Sequence, residues 1–398
     1  MLYGIVQLAE GIAQLEAASE ELEALRERAQ YRTLENPAGI NLYSNDYLGL
    51  AHDSRLKEAL LEGVAAADSV ASTGSRLLSG NSREWESLEA EFASFVGAET
   101  ALYFGSGYAA NVGLISAVAG RGDLIVSDEL NHASLIDGIR LSGATKIIYP
   151  HADLKFVEAA LREHRDHAGV KLIVTESIFS MEGDVAPIAR LVELADTYGA
   201  DVIIDEAHAV GVYGPEGRGI CASLGLEKKV FAAMYTCGKA LASAGAFVCG
   251  SSTLREFLIN RARTLIFSTA MPPYLARQIQ AALEFARTAD DRREHLRGIS
   301  DALRAELTAA GINYGASKTQ IVPIYLGGNE VALQVADHLH RAGFAVRAIR
   351  PPTVPPGTSR LRLSLTASLT YEDVRRLAAS IEEVVRALAQ TSSASVHA

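Results

Sequence analysis

The chain has 398 residues, 48% of them hydrophobic, with 37 basic against 48 acidic side chains and a formal net charge of −11. That length and apolar content suffice for a large core divided between two domains, and the acidic balance argues against nucleic acid as a general partner. No signal peptide and no uninterrupted apolar run of about 18 residues is present, so no membrane contact is expected; Cys221, Cys237 and Cys249 are scattered without metal-type spacing, which reads as reduced thiols in a cytoplasmic protein and predicts no metal site.

Residues 5–30 carry apolar positions at Ile5, Leu8, Ile12, Leu15, Leu22 and Leu25, the spacing of an amphipathic helix. A turn at Asn36-Pro-Ala-Gly39 and a short strand at Ile40-Asn-Leu-Tyr43 follow. From about residue 83, helical patterns at 84–96, 108–118, 133–141, 153–167, 187–198 and 253–263 alternate with β-type runs at 100–104, 123–127, 146–149, 170–176, 201–205, 230–235 and 245–249. Such alternation predicts an α/β domain whose mostly parallel sheet is covered by helices on both faces. Pro272-Pro273 opens a helix to about 290, and another spans 292–310. The pattern strand 320–326, helix 330–342, strands 345–349 and 360–365 and helix 370–389 predicts a smaller C-terminal α+β domain. The expected division is an N-terminal helix and arm (1–44), a large domain (45–285), the C-terminal domain (286–390) and a frayed tail (391–398).

Lys239 lies between the apolar runs Val230-Phe-Ala-Ala-Met-Tyr235 and Gly245-Ala-Phe-Val-Cys-Gly250. A lysine held between two buried strands is desolvated, which lowers its pKa and leaves a nucleophilic amine able to form Schiff bases with carbonyl cofactors; the plain alternative is a surface loop lysine. Asp205 closes the apolar run Val202-Ile-Ile204, so its carboxylate emerges at a strand's carboxyl end, where open α/β sheets place ligands. Such a carboxylate needs a cation, and the protonated pyridine nitrogen of pyridoxal 5′-phosphate (PLP) is one. A helicase-type reading of Asp205-Glu-Ala-His208 fails for want of a phosphate loop: the only Gly-Lys pair followed by a small residue is Gly238-Lys239-Ala240, and it has Ala233 where the first glycine belongs.

Phe104-Gly-Ser-Gly-Tyr-Ala-Ala-Asn111 joins a strand to a helix, and glycines before a helix start can seat a phosphate on the backbone of Ser106, Gly107 and Tyr108 or simply make a turn. His132 in Asn131-His-Ala-Ser134 can stack on a planar ring or start a helix. Glu176 and Ser180 follow another strand and can face the same crevice, and Asn45 in Ser44-Asn-Asp-Tyr-Leu-Gly49 is similarly open. Arg362, on one strand face with Arg360 and Ser364, can clamp a carboxylate or sit on an exposed edge.

Taken in order, these blocks, together with Ser72-Thr-Gly-Ser-Arg-Leu-Leu-Ser-Gly80, Glu176-Ser-Ile-Phe-Ser-Met-Glu-Gly-Asp184, Thr236-Cys-Gly-Lys239 and Phe267-Ser-Thr-Ala-Met-Pro-Pro273, resemble the α-oxoamine synthases of the PLP fold-type I superfamily over roughly residues 40–370. The resemblance implies the fold-type I architecture and PLP held by Lys239. Asp205 would face the ring nitrogen, His208 the phenolic oxygen and His132 the ring, with Glu176 and Ser180 beside it. The phosphate would lie on Gly107, Tyr108 and Thr236, and on Ser268 and Thr269 of a neighbouring subunit, which makes a homodimer with its site at the interface. Arg362 would hold the amino-acid carboxylate, Asn45 the cofactor or substrate, and Arg26 and Thr353 the acyl side. The block from Ala348 to Thr366 looks like the branch that condenses L-alanine with a pimeloyl thioester carried on CoA or acyl carrier protein; a glycine and acetyl-CoA enzyme is the rival within the family. Some relatives of that branch differ at Arg76, which leaves its role open.

Overall fold

The computed structural model describes residues 2–396, with the side chains of 1–13, 389 and 391–398 outside the description. An N-terminal helix, Leu2–Glu27, leads to strand β1 (Ile40–Asn41). The large sheet then uses β2 (Thr100–Phe104), β3 (Leu124–Asp128), β4 (Thr145–Tyr149), β5 (Lys171–Glu176), β6 (Asp201–Asp205), β7 (Ala232–Thr236) and β8 (Ala246–Gly250) in the order β2-β8-β7-β6-β5-β3-β4. Its neighbours from β7 to β4 pair in parallel, while β8 is antiparallel to both β7 and β2. The C-terminal part adds β9 (Ile321–Gly327), β10 (Phe344–Ala345), β11 (Ala348–Ile349) and β12 (Ser359–Ser364), of which β11-β12-β9 form an antiparallel sheet. No described helix is long and apolar enough to cross a membrane.

Strand periodicity decides what faces what. Successive residues point to opposite faces, so Val202 and Ile204 enter one apolar cluster and Ile203 the other. Leu172 and Val174 of β5, and Ala232 and Met234 of β7, lie in the same cluster as Ile203, together with Ala110 and Leu114 of the helix Gly107–Val118. Counting two residues on, Glu176, Asp205 and Thr236 fall on that face at the carboxyl ends of three adjacent strands. Each fully buried Ile, Leu or Val contributes roughly 1.5–3 kcal/mol, and a one-residue slip would invert the pattern. Stacked pairs Phe92–Phe247 (4.0 Å between centroids) and Trp85–Tyr103 (4.2 Å) fill the opposite layer.

Several expectations change. The helix Ser54–Ala66 has no counterpart in the sequence reading: Asp53 caps it by accepting from Arg55 N, yet Leu61 and Val64 are exposed, which blurs its apolar stripe. The expected helix 253–263 breaks at Ala262 into Ser252–Arg261 and Arg263–Ile266, and the expected strand 345–349 divides into β10 and β11. The C-terminal helix runs from Tyr371 to Val396, through most of the stretch expected to fray. On the N-terminal helix Leu15 and Leu22 are exposed and Leu25 is partly buried, so the described part of its stripe is only weakly covered; the side chains of Ile5, Leu8 and Ile12 lie outside the described residues. The expected boundary at 44/45 cuts through a paired segment, since β1 pairs with β10, Ser364 N donates to Leu42 O (2.7 Å) and Ala367 N to Tyr47 O (2.8 Å).

Candidate active site

Asp205, Glu176 and Thr236 are all buried at their strand tips. Asp205 accepts from Ala207 N (2.8 Å) and from Asn111 Nδ2 (2.7 Å), whose helix lies against this face. It makes no ion pair with any described residue. Glu176 keeps one carboxyl oxygen without a hydrogen bond. Burial first, then the charge of Asp205, pushes the Glu176 carboxyl well above the usual range, so it stays neutral.

Lys239 sits in a turn closed by Ala242 N→Lys239 O (2.9 Å) and Ser243 N→Cys237 O (2.9 Å). The residue is half-buried, but its amine end is enclosed, and Nζ lies 2.8 Å from His208 Nε2. Desolvation pulls the ammonium down to about 8, against the opposing pull of Asp205. His208 is itself held well below its ordinary range by burial and by the charges of Lys239 and Arg362, so its ring is neutral. Its Nδ1 meets Tyr47 Oη at 2.6 Å and its carbonyl takes Gln320 Nε2 at 3.1 Å. Tyr47 Oη also lies 3.0 Å from Asn45 Oδ1, so it links His208 to the residue that Arg362 donates to. The lysine is mostly unprotonated above about pH 8. In cofactor-free protein its acylation rate should rise with pH through a midpoint near 8 rather than 10.5, followed by peptide mapping at Lys239. Because the folded value lies below the unfolded one, the same amine weakens the cofactor-free fold below about pH 8, and that loss fades as pH climbs toward 10.5.

His132 caps the helix Ala133–Ser142, with Nδ1 accepting from Ser134 N (3.2 Å) and lying 2.8 Å from Ser134 Oγ. Its helix-start role is thus present, while its ring opens into a cleft; the surrounding walls still hinder hydration enough to lower its pKa. Opposite, Arg362 is buried on β12. It donates to Asn45 Oδ1 (3.0 Å), Ser364 Oγ (2.5 Å) and the carbonyl of Ser180, yet has no carboxylate partner among the described residues.

The stretch expected to seat a phosphate is a helix start. Ser106 Oγ accepts from Ala109 N, so the Gly107 and Tyr108 N–H groups keep no hydrogen bond. A Cβ on Gly107 would lie 3.6 Å from Thr236 Oγ1, which places that hydroxyl beside the seat. The Tyr108 hydroxyl pairs with Asp137, and its ring stands edge-on to that of His132 at 6.5 Å. A buried carboxylate lacking a cation, an enclosed amine of lowered pKa and free helix-start amides fit PLP: Lys239 would hold it covalently, Asp205 its ring nitrogen, and Gly107, Tyr108 and Thr236 its phosphate.

Beside this cluster a cleft of about 750 Å³ is lined by Glu129–Ala133, Ile136, Ser180–Glu182, Pro351–Pro356 and Arg32. Thr353 stands there and accepts from Arg32 Nη2 at 2.9 Å. Arg26 does not: it pairs with Glu23 (2.9 Å) and lies over Tyr31 (4.3 Å). Ser268 and Thr269 are exposed beside the exposed Phe267, and the hydrogen bonds among the described residues do not tie them to the Lys239 cluster. Arg76 ties the 72–80 turn to buried Glu89 (2.8 Å), which also takes Arg255 (2.9 Å), a structural role away from the cleft. Tyr47, Asn111 and Gln320 were not singled out from sequence. The first two lie inside blocks 44–50 and 105–111, and their polar groups on otherwise apolar segments were the available signal.

Comparison with known proteins agrees with this geometry. The profile of the aminotransferase class I and II family matches residues 37–381. The 8-amino-7-oxononanoate synthase of Azoarcus sp. (strain BH72) is 47% identical over 86% of this chain and 87% of the relative, and that of Burkholderia mallei (strain SAVP1) is 47% identical over 90% and 92%. Among solved structures, serine palmitoyltransferase from S. paucimobilis with bound PLP superposes with a TM-score of 0.87 at 28% identity over 95% of this chain and 99% of the other. An 8-amino-7-oxononanoate synthase from Francisella tularensis gives 0.75 at 29% over 87% and 98%.

Proposed function

From the premise that the chain belongs to the class I and II aminotransferase family, and within it to the 8-amino-7-oxononanoate synthases, we propose that it condenses L-alanine with a pimeloyl thioester, on CoA or acyl carrier protein, to give 8-amino-7-oxononanoate, carbon dioxide and the free thiol, a step of biotin synthesis. It is a PLP-dependent acyltransferase. The observation that carries the substrate reading is the pair of buried, uncompensated charges, Asp205 and Arg362, on either side of an enclosed amine.

Bound PLP supplies an electron sink for negative charge at the α-carbon of an amino acid. Arg362, preorganised by Asn45, Ser364 and Ser180, binds the amino-acid carboxylate as the partner its guanidinium otherwise lacks. Lys239 Nζ, neutral above about pH 8, takes the α-proton as general base. The neutral carboxyl of Glu176 and the neutral ring of His208 add no charge that would compete with that transfer. The thioester enters the cleft bounded by His132, Ser180 and the proline-rich segment, whose 750 Å³ is more room than a two-carbon acyl group uses. Three free, buried cysteines suit a reducing cytoplasm. Exposed Leu77, Leu78 and Phe267 around Ser268 and Thr269 suit a homodimer that completes the phosphate seat.

Product identification from alanine plus pimeloyl-CoA tests the reading, with pimeloyl-carrier protein as a parallel arm. Faster turnover of glycine with acetyl-CoA would overturn it. Arg362→Lys should raise the KM for alanine roughly tenfold or more while leaving the donor KM near wild type, since an ammonium cannot reproduce the forked contacts; steady-state kinetics with each substrate varied separates the two.

A further inference from the structure

The acyl cleft has two walls made by separate loops. One follows β3 and carries Glu129 to His132; the other follows β5 and carries Ser180 to Glu182. Beneath both lies His151, just past β4, which none of the chemistry above uses. Its Nδ1 is 3.1 and 3.2 Å from the two oxygens of Asp128, the last residue of β3. Its Nε2 is 2.8 Å from Asp184 Oδ2, two residues beyond the second wall. Its ring stands edge-on to Phe179 at 4.4 Å and 86°, and its backbone N–H donates to Glu129 Oε1 at 2.8 Å.

The two carboxylates organise the walls they flank. Asp128 also accepts from Leu130 N (2.9 Å) and Ala152 N (3.0 Å), while the Asp184 carbonyl takes Phe179 N (3.1 Å) beside the Ile178–Val185 bridge that pinches the second loop. Among the described residues neither aspartate has another ion-pair partner. An imidazole that reaches carboxylates from both nitrogens must donate from both and is then a cation. Burial opposes that charge, but the hydrogen bonds and charges of Asp128 and Asp184 outweigh it and raise the ring to about 10.

The geometry points to His151 as a positioning residue for the acyl donor: by tying Asp128 to Asp184 it fixes the gap between the wall bearing His132 and the wall bearing Ser180. This rests on the reading that the cleft takes the acyl chain. His151 touches neither Lys239 nor Arg362, so it acts through the loops. Ser180 does take one Arg362 contact, but Asn45 and Ser364 hold that guanidinium independently, so the amino-acid side keeps its own anchors.

The test compares His151→Gln, Asp184→Asn and the double variant as PLP-loaded enzymes. Glutamine can donate to one carboxylate only by turning its carbonyl oxygen toward the other, and asparagine removes one charge while keeping the shape. Either single change should raise the donor KM about tenfold, the scale of one lost charge-assisted hydrogen bond, with the alanine KM moving less than about twofold. The double variant should be no worse than the poorer single one, because both break the same tie. Calorimetric titration with an unreactive thioether analogue of the acyl-CoA should show the same loss of affinity without turnover. A donor KM and analogue affinity that stay at wild type while the melting temperature falls would make His151 structural only and overturn the proposal, as would a parallel rise in both KM values. Wild-type enzyme that neither binds the analogue nor uses the thioester would instead overturn the acyl reading itself, and that control is read first.

Discussion

Lys239→Ala loses turnover by about ten-thousand-fold, the upper range for a removed general base, and the purified protein no longer retains PLP or its visible absorbance through gel filtration. Both losses follow from one atom. Nζ is the enclosed amine 2.8 Å from His208, drawn to about 8 by desolvation, and alanine leaves the site without covalent anchor or base. The fold itself should not suffer, because the substitution removes a desolvated group rather than a packing element, and the melting temperature of cofactor-free protein is the control. Retained multiple turnover in the variant would end the assignment of Lys239, whatever the spectrum showed.

Asp205→Asn lowers kcat by roughly 10²–10³-fold, the scale on which a single preorganised electrostatic contact acts. The side chain keeps its shape, and Ala207 N still finds an oxygen. What vanishes is the negative charge that the neighbourhood is built around: Asn111 donates to it, and it is a main reason, after burial, that Glu176 stays protonated. In the variant the Glu176 carboxyl should therefore ionise at lower pH, and Lys239, deprived of an opposing charge that raises it, should drop further. Steady-state kcat against pH, with alanine saturating, measures the effect; a kcat within about threefold of wild type would show that the charge does not matter to the reaction.

Much of this site was legible before any coordinates because strand tips announce themselves. Val202-Ile-Ile204 ends in Asp205, which marks a strand tip, whereas Thr236 is reached only through the resemblance, and it is the strand register that puts Asp205, Thr236 and Glu176 on one face. Lys239 is legible for a different reason, its place between two apolar runs. Tyr47 was not: a tyrosine in a Tyr-Leu-Gly turn reads as core, and it is fully buried, yet its hydroxyl ends on His208. The resemblance puts Arg26 on the acyl side, and the sequence says nothing of where the coil carrying Arg32 docks; Arg350 fixes that coil by donating to the carbonyls of Ala29 and Tyr31. The helix Ser54–Ala66 escaped because its apolar side is only partly covered. Ser268 and Thr269 show the limit of a single chain, since their expected use belongs to a neighbour.

The pairing of residues 40–47 with the C-terminal strands also bears on how the enzyme is made. Asn45 meets Arg362 across 317 positions of sequence, and Leu42 receives the N–H of Ser364. All seven strands of the large sheet and Lys239 are synthesised before residue 364, so Arg362, proposed above to hold the amino-acid carboxylate, joins Asn45 only late in synthesis. On the proposed function, a half-made polypeptide lacks the guanidinium that would receive an amino-acid carboxylate, because β12 is made only after the whole large sheet.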